Sequence, residues 1–140
     1  MPTKLLFEDD QWCYGCGQDN KKGLKLVFEH SQKDRLTSQV TFSKEHQGFK
    51  GIVHGGMLAV ALDDLMVNLA WRENYHAVTA ELTLRIKKPA LVGEVLSLSA
   101  RIIKKDSKIV YLESEAVNAK GEAVATAKAS CMILKENKQS

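Results

Sequence analysis

The segment from Gly55 to about Glu73 contains no proline and is too long for a buried strand, so it reads as one long helix. No second segment of that kind follows. After it the chain alternates with a period of two: Val78, Ala80, Leu82, Leu84 and Ile86 on one side, Thr79, Glu81, Thr83, Arg85 and Lys87 on the other. A parallel sheet needs helical crossovers between its strands, so a single helix among many strands points to an antiparallel sheet.

The remaining strands are placed by the same period. Leu24, Leu26 and Phe28 predict a first strand, and Leu36, Val40 and Phe42 a second, joined by a HSQKD loop. Beyond the turn KKPALVGE come Leu96, Leu98, Ala100 and Ile102, then Val110, Leu112 and Ala116, and finally Ala123 to Leu134 after the NAKGE turn. The expected fold class is α+β: one antiparallel sheet of five to six strands wrapped around one long central helix. The whole of residues 1–140 is expected to form one domain, with an N-terminal lid over 1–22 and a frayed tail at 135–140.

Composition narrows the function. Twenty basic against 17 acidic residues leave a formal charge of +3, too small and too evenly mixed for a nucleic-acid binder. The stretch Ile52 to Trp71 includes His54, Asp63, Asp64 and Asn68, which a lipid-facing span does not accept cheaply, so no membrane partner is expected. Three cysteines and no signal-like N-terminus predict a reducing, cytoplasmic setting. No glycine-rich nucleotide loop or serine nucleophile elbow is present in the sequence.

At 100° per residue, Asp64, Asn68 and Arg72 fall on one polar stripe, expected to face solvent. Asp63 lies on a different face, with Gly56, Ala59, Val60, Met66, Val67 and Ala70. A carboxylate among apolar neighbours must be paired, neutralised or used in chemistry. At the start of the helix, His54-Gly55-Gly56 offers backbone N–H groups at the positive end of the helix dipole, suited to polarising a carbonyl. Gly55 and Asp63 are separated by about 12 Å of helical rise, so acting on one carbonyl requires two chains, packed as a homodimer. The breadth of the helix's apolar surface supports the same assembly.

The stretch GFKGIVHGGMLAVALDD resembles the signature of the hotdog-fold thioesterases of the phenylacetate-pathway (PaaI-like) group: His-Gly-Gly with an acid nine residues after the histidine. KKPALVGE and the N-terminal CYGCGQDNKKGLKL are similar to other segments of that group. The resemblance implies a thioester hydrolase acting on acyl-CoA or acyl-carrier-protein substrates, needing no cofactor and no metal, assembled as dimers that pair into homotetramers. It implies that the Gly55 amide polarises the thioester carbonyl, while Asp63 of the partner subunit activates water or attacks directly. His54 would orient the loop or approach the thioester sulfur, with Gly56, Gln47 and Thr79 contacting substrate. Gln47 stands beside Gly48, the position at which the family often carries a polar side chain. Arg85, Lys87, Lys88, Lys104 and Lys105 are candidate partners for CoA phosphates. The alternative is a non-catalytic acyl-CoA binding or sensing module on the same fold.

Cys13 and Cys16 form a CxxC pair, but a tetrahedral zinc site wants four ligands and no second CxxC or HxxxH pair accompanies it. The expectation is that this segment packs as a lid, with Trp12 and Tyr14 covering the sheet or the acyl pocket. Cys131, on an alanine-rich strand, is expected to be a buried thiol.

Overall fold

The structure, a computed structural model, describes residues 7–135. The expected fraying of the tail therefore lies, beyond Lys135, outside the described residues. The element order is β1 (Glu29–Gln32), β2 (Arg35–Thr41), a short 3-10 turn (Lys44–His46), α1 (Gly55–Arg72), β3 (Ala77–Ile86), β4 (Val95–Lys105), β5 (Ile109–Val117) and β6 (Ala123–Ile133). The six strands form one antiparallel sheet in the order β1-β2-β4-β5-β6-β3. The helix packs against β2, β3, β4, β5 and β6. This is the hotdog fold. No helix among the described residues is long and apolar enough to cross a membrane.

The core lies between one stripe of α1 and the concave face of the sheet. Leu58, Ala61, Leu62, Leu65, Met66, Leu69 and Ala70 are buried on the helix. Leu36, Leu96, Leu98, Val110, Leu112 and Val124 meet them from the strands. Small residues on β6, Ala125, Ala127 and Ala129, let the helix approach the sheet closely.

Two strand expectations are corrected. Leu24 to Phe28 is not a strand: Lys25 adopts φ +51°, in the left-handed region, and breaks the extended path. Leu26 is still buried, because the segment lies along the N-terminal turn, with the Leu26 N–H donating to the Gly15 carbonyl at 2.9 Å. The first hairpin instead pairs Glu29–Gln32 with β2, so most of the expected HSQKD loop is strand and the turn falls at Lys33 and Asp34, with Asp34 at φ +62°.

The third strand also departs from simple alternation. Thr79 pairs with Cys131 and Glu81 with Ser130, leaving Ala80 as a bulge. An extra residue reverses the facing of everything on one side of it, so Ala77 and Thr79 turn inward together with Leu82 and Leu84, while Ala80 is exposed.

Leu69 is fully buried in the middle of this interface. Leu69→Ala is expected to lower unfolding free energy by about 2–5 kcal/mol. The urea midpoint should fall with an unchanged slope, whereas Lys120→Ala in the exposed β5–β6 turn should stay within about 0.5 kcal/mol of wild type.

Candidate active site

The helix begins where the chain leaves a loop built on Gln47 and His54. The Gln47 side-chain carbonyl accepts the Gly51 N–H at 3.0 Å, and Gly51 itself sits at φ +76°. The His54 N–H donates to the His46 carbonyl at 2.9 Å. At the N-cap, His54 Nδ1 accepts the Gly56 N–H at 2.9 Å. Of the backbone N–H groups expected to be offered by His54-Gly55-Gly56, the one at Gly56 is therefore not free but capped by His54. The Gly55 N–H has no acceptor among the described residues.

Gly55 opens onto a cleft of about 600 Å³ lined by Phe49, Ile52, His54, Ile86 and Lys87, among others. A Cβ on Gly55 would come within 2.8 Å of Ile86 Cδ1, so glycine here lets the helix start against the end of β3. Phe49 is 84% exposed and Leu91 50%, leaving an apolar surface beside the cleft. Gln47 is not among the lining residues; its carbonyl shapes the loop.

Of the five candidate cations, the fold brings Lys87 and Lys88 to this cleft. Lys88 is ion-paired with Glu122. Lys104 lies over the Tyr111 ring and Lys105 over the Tyr75 ring, while Arg85 lines a second depression together with Arg35, Arg101 and Lys128. Neither Gly55 nor Asp63 borders that second depression.

Asp63 is half-buried, on the side of the helix that faces β3. Thr79 Oγ1 donates to Asp63 Oδ1 at 2.7 Å, and Cys131 Sγ lies 3.9 Å behind the same hydroxyl. The bulge at Ala80 is what turns Thr79 toward the helix rather than to the outer face that strict alternation would assign. Cys131 is fully buried, as expected, and its burial holds the thiol above its ordinary pKa.

The neighbouring Asp64 is the larger correction. It is not solvent-facing: the CxxC turn covers it, Cys13 Sγ donates to its Oδ1 at 3.3 Å, and its Oδ2 is buried without a hydrogen-bond partner among the described residues. Burial pushes the Asp64 carboxyl above its usual range, although the hydrogen bond from Cys13 acts the other way. Burial, then the Asp64 charge, pushes the Cys16 thiol up as well. Asn68 is half-buried under the same turn, and only Arg72 of the expected stripe is exposed. The N-terminal segment therefore covers this flank of the helix. Tyr14 reaches Met57 Sδ at 3.8 Å through its hydroxyl, and Trp12 is 59% exposed, so neither aromatic covers the sheet.

Residues 50–125 match the sequence profile of the thioesterase superfamily. Human acyl-coenzyme A thioesterase 13 is 21% identical over 104 residues, covering 72% of this chain and 74% of the relative. A phenylacetic acid degradation-related protein of Ralstonia eutropha superposes with a TM-score of 0.72 at 28% identity, over 79% of this chain and 86% of that one. A hypothetical thioesterase protein of Streptococcus pneumoniae, crystallised with coenzyme A, superposes with a TM-score of 0.75 at 14% identity, over 81% of this chain and 88% of that one. With the helix, the sheet order and the His-Gly-Gly start all in place, the chain belongs to the thioesterase superfamily.

Proposed function

We propose that the protein is an acyl-CoA thioesterase acting on small-to-medium acyl groups, aryl or aliphatic, from a site shared between two copies of the chain. Thioester hydrolysis is the reaction of the superfamily; the CoA carrier is supported by the curated relative's name and by the coenzyme A in the pneumococcal structure. The observation that carries the assignment of residues is the Thr79 hydroxyl bound to one oxygen of the Asp63 carboxylate at 2.7 Å. A half-buried carboxylate oriented through one oxygen presents the other in a fixed direction, as a general base for water or as a nucleophile. The Gly55 N–H, aligned with the helix dipole and without an acceptor among the described residues, supplies the donor toward which negative charge on the thioester oxygen develops.

Eight residues of helix separate these two groups, so the donor of one chain works with the Asp63 of the partner subunit. The ten-residue β3 lies at a sheet edge with one side unpaired among the described residues, and it carries both Thr79 and Ile86. An edge of that length invites continuation of the sheet by a second copy, with pairing of dimers into a tetramer as the further assembly. His54 holds the helix start through the Gly56 amide, Gln47 holds the preceding loop, and Lys87 stands at the cleft to meet CoA phosphates. The chemistry requires no cofactor.

Thiol release from short, medium, long and aryl acyl-CoAs tests the proposal. Asp63→Asn should lower kcat by about 10²–10⁴-fold while leaving the fold and assembly intact. Saturable acyl-CoA binding without hydrolysis by the wild type would instead establish a sensing module. Thr79 is a positioning residue, so Thr79→Val should lower kcat with little change in KM, and Thr79→Ser should restore most of the activity. An equal loss in Thr79→Ser and Thr79→Val would remove the hydroxyl from the mechanism. Lys87→Ala should raise KM for acyl-CoA several-fold and leave KM for the corresponding acyl-pantetheine unchanged.

A further inference from the structure

Cys13, Cys16 and Asp64 come from segments about fifty residues apart, yet their ligand atoms all lie within 4.8 Å of one another. The Cys13 Sγ to Asp64 Oδ1 distance is 3.3 Å. Around a tetrahedral zinc ion, bonds of about 2.3 Å to sulfur and about 2.0 Å to oxygen place neighbouring sulfur and oxygen ligands about 3.5 Å apart. The Cys13–Asp64 pair therefore already stands near the edge length of such a site, with the Cys16 sulfur within 4.8 Å of both. We propose that Cys13, Cys16 and Asp64 bind a thiophilic divalent cation of the zinc class, which fastens the N-terminal segment to α1.

Three independent features of the surroundings point to a ligand. Asp64 Oδ2 is buried without a hydrogen-bond partner among the described residues, a costly arrangement unless something positive meets it. Asn68 Nδ2 donates to the Asp64 main-chain carbonyl at 2.8 Å and approaches Cys16 Sγ at 3.8 Å, an N–H donor of the kind that supports a metal thiolate from the outer shell. The turn is also shaped to let the carboxylate in: a Cβ on Gly15 would lie 2.6 Å from Asp64 Cγ, and a Cβ on Gly17 2.4 Å from the Cys13 nitrogen.

A redox role for the pair fits less well. A carboxylate beside both sulfurs disfavours the thiolate that such chemistry needs, whereas a divalent cation reverses the sign of the local field. Cys13 is exposed, giving the ion a way in, and the fourth coordination position falls to water. The cation would act as a clamp on the flank of the helix bearing Asp64. Asp63, on a different face, would keep its own partner in Thr79.

The test uses the full chain, reduced, equilibrated with zinc and desalted. Elemental analysis should find close to one zinc per chain, and cobalt in its place should give thiolate-to-metal charge-transfer absorption with the visible bands of a four-coordinate ion. Asp64→Asn should weaken zinc at least about tenfold in competition with a chromogenic chelator. The Cys13→Ser/Cys16→Ser double variant should hold none. Chelation of the wild type should lower its melting temperature and speed proteolysis within residues 7–28. Zinc below about 0.1 per chain in the wild type, with no charge-transfer band, would overturn the proposal whether or not the variants fold. So would a disulfide between Cys13 and Cys16 as the sole stable state, or unchanged affinity in Asp64→Asn.

Discussion

The seating of the apolar stripe of α1 in the concave face of the sheet sets the rotation of the helix, and nearly every polar contact around the site depends on that rotation. Seven fully buried side chains, from Leu58 to Ala70, lock it. Because the helix turns 100° per residue, two adjacent aspartates cannot share an environment once the stripe is fixed. Asp63 is delivered to β3 and Asp64 to the N-terminal turn. One hydrophobic interface thereby creates two carboxylates with different neighbours and different chemistry, a hydroxyl for one and two thiols for the other.

The face of Asp63 could be read from the sequence because it depends on helical periodicity alone. Asp64 could not, since its spacing with Asn68 and Arg72 has every mark of a solvated stripe; what covers it comes from Cys13–Cys16, some fifty residues away, and periodicity carries no information about a non-local cover. The same limit hid the third donor to the CxxC pair. The sequence shows one CxxC pair and no second, while the acid that joins it stands in the middle of the helix.

The strands show a second kind of limit. Hydrophobic alternation located β3 to β6 to within a few residues, because each has one buried face. Its phase failed on β3, where a single bulge at Ala80 moves Thr79 from the outer to the inner face. It failed again at Leu24–Phe28, whose alternation reflects packing of an irregular segment under the N-terminal turn. The signals that marked these places were weak: an alanine beside a threonine in a strand, and a glycine-rich turn upstream. Thr79 was named from resemblance to a family, and the bulge supplies the physical reason it can reach Asp63.

The start of the helix shows how capping and catalysis compete for the same atoms. The first amides of a helix lack intrahelical acceptors, and leaving them all open destabilises the terminus. If the side chain of His54 were to cap the first amide, no donor would remain at the cleft; if it capped none, the loop from Gln47 to His54 would lose an anchor. Accepting from Gly56 resolves the conflict, because the capped amide holds the loop while the Gly55 amide stays open at the cleft wall. The two glycines are therefore not equivalent. A side chain at Gly55 would meet Ile86 of β3, whereas one at Gly56 would come no nearer than 3.1 Å, to the capping imidazole itself. The consequence is a separation of duties within one dipeptide: Gly56 stabilises the helix start through histidine, and Gly55 faces the space into which a thioester carbonyl would have to enter.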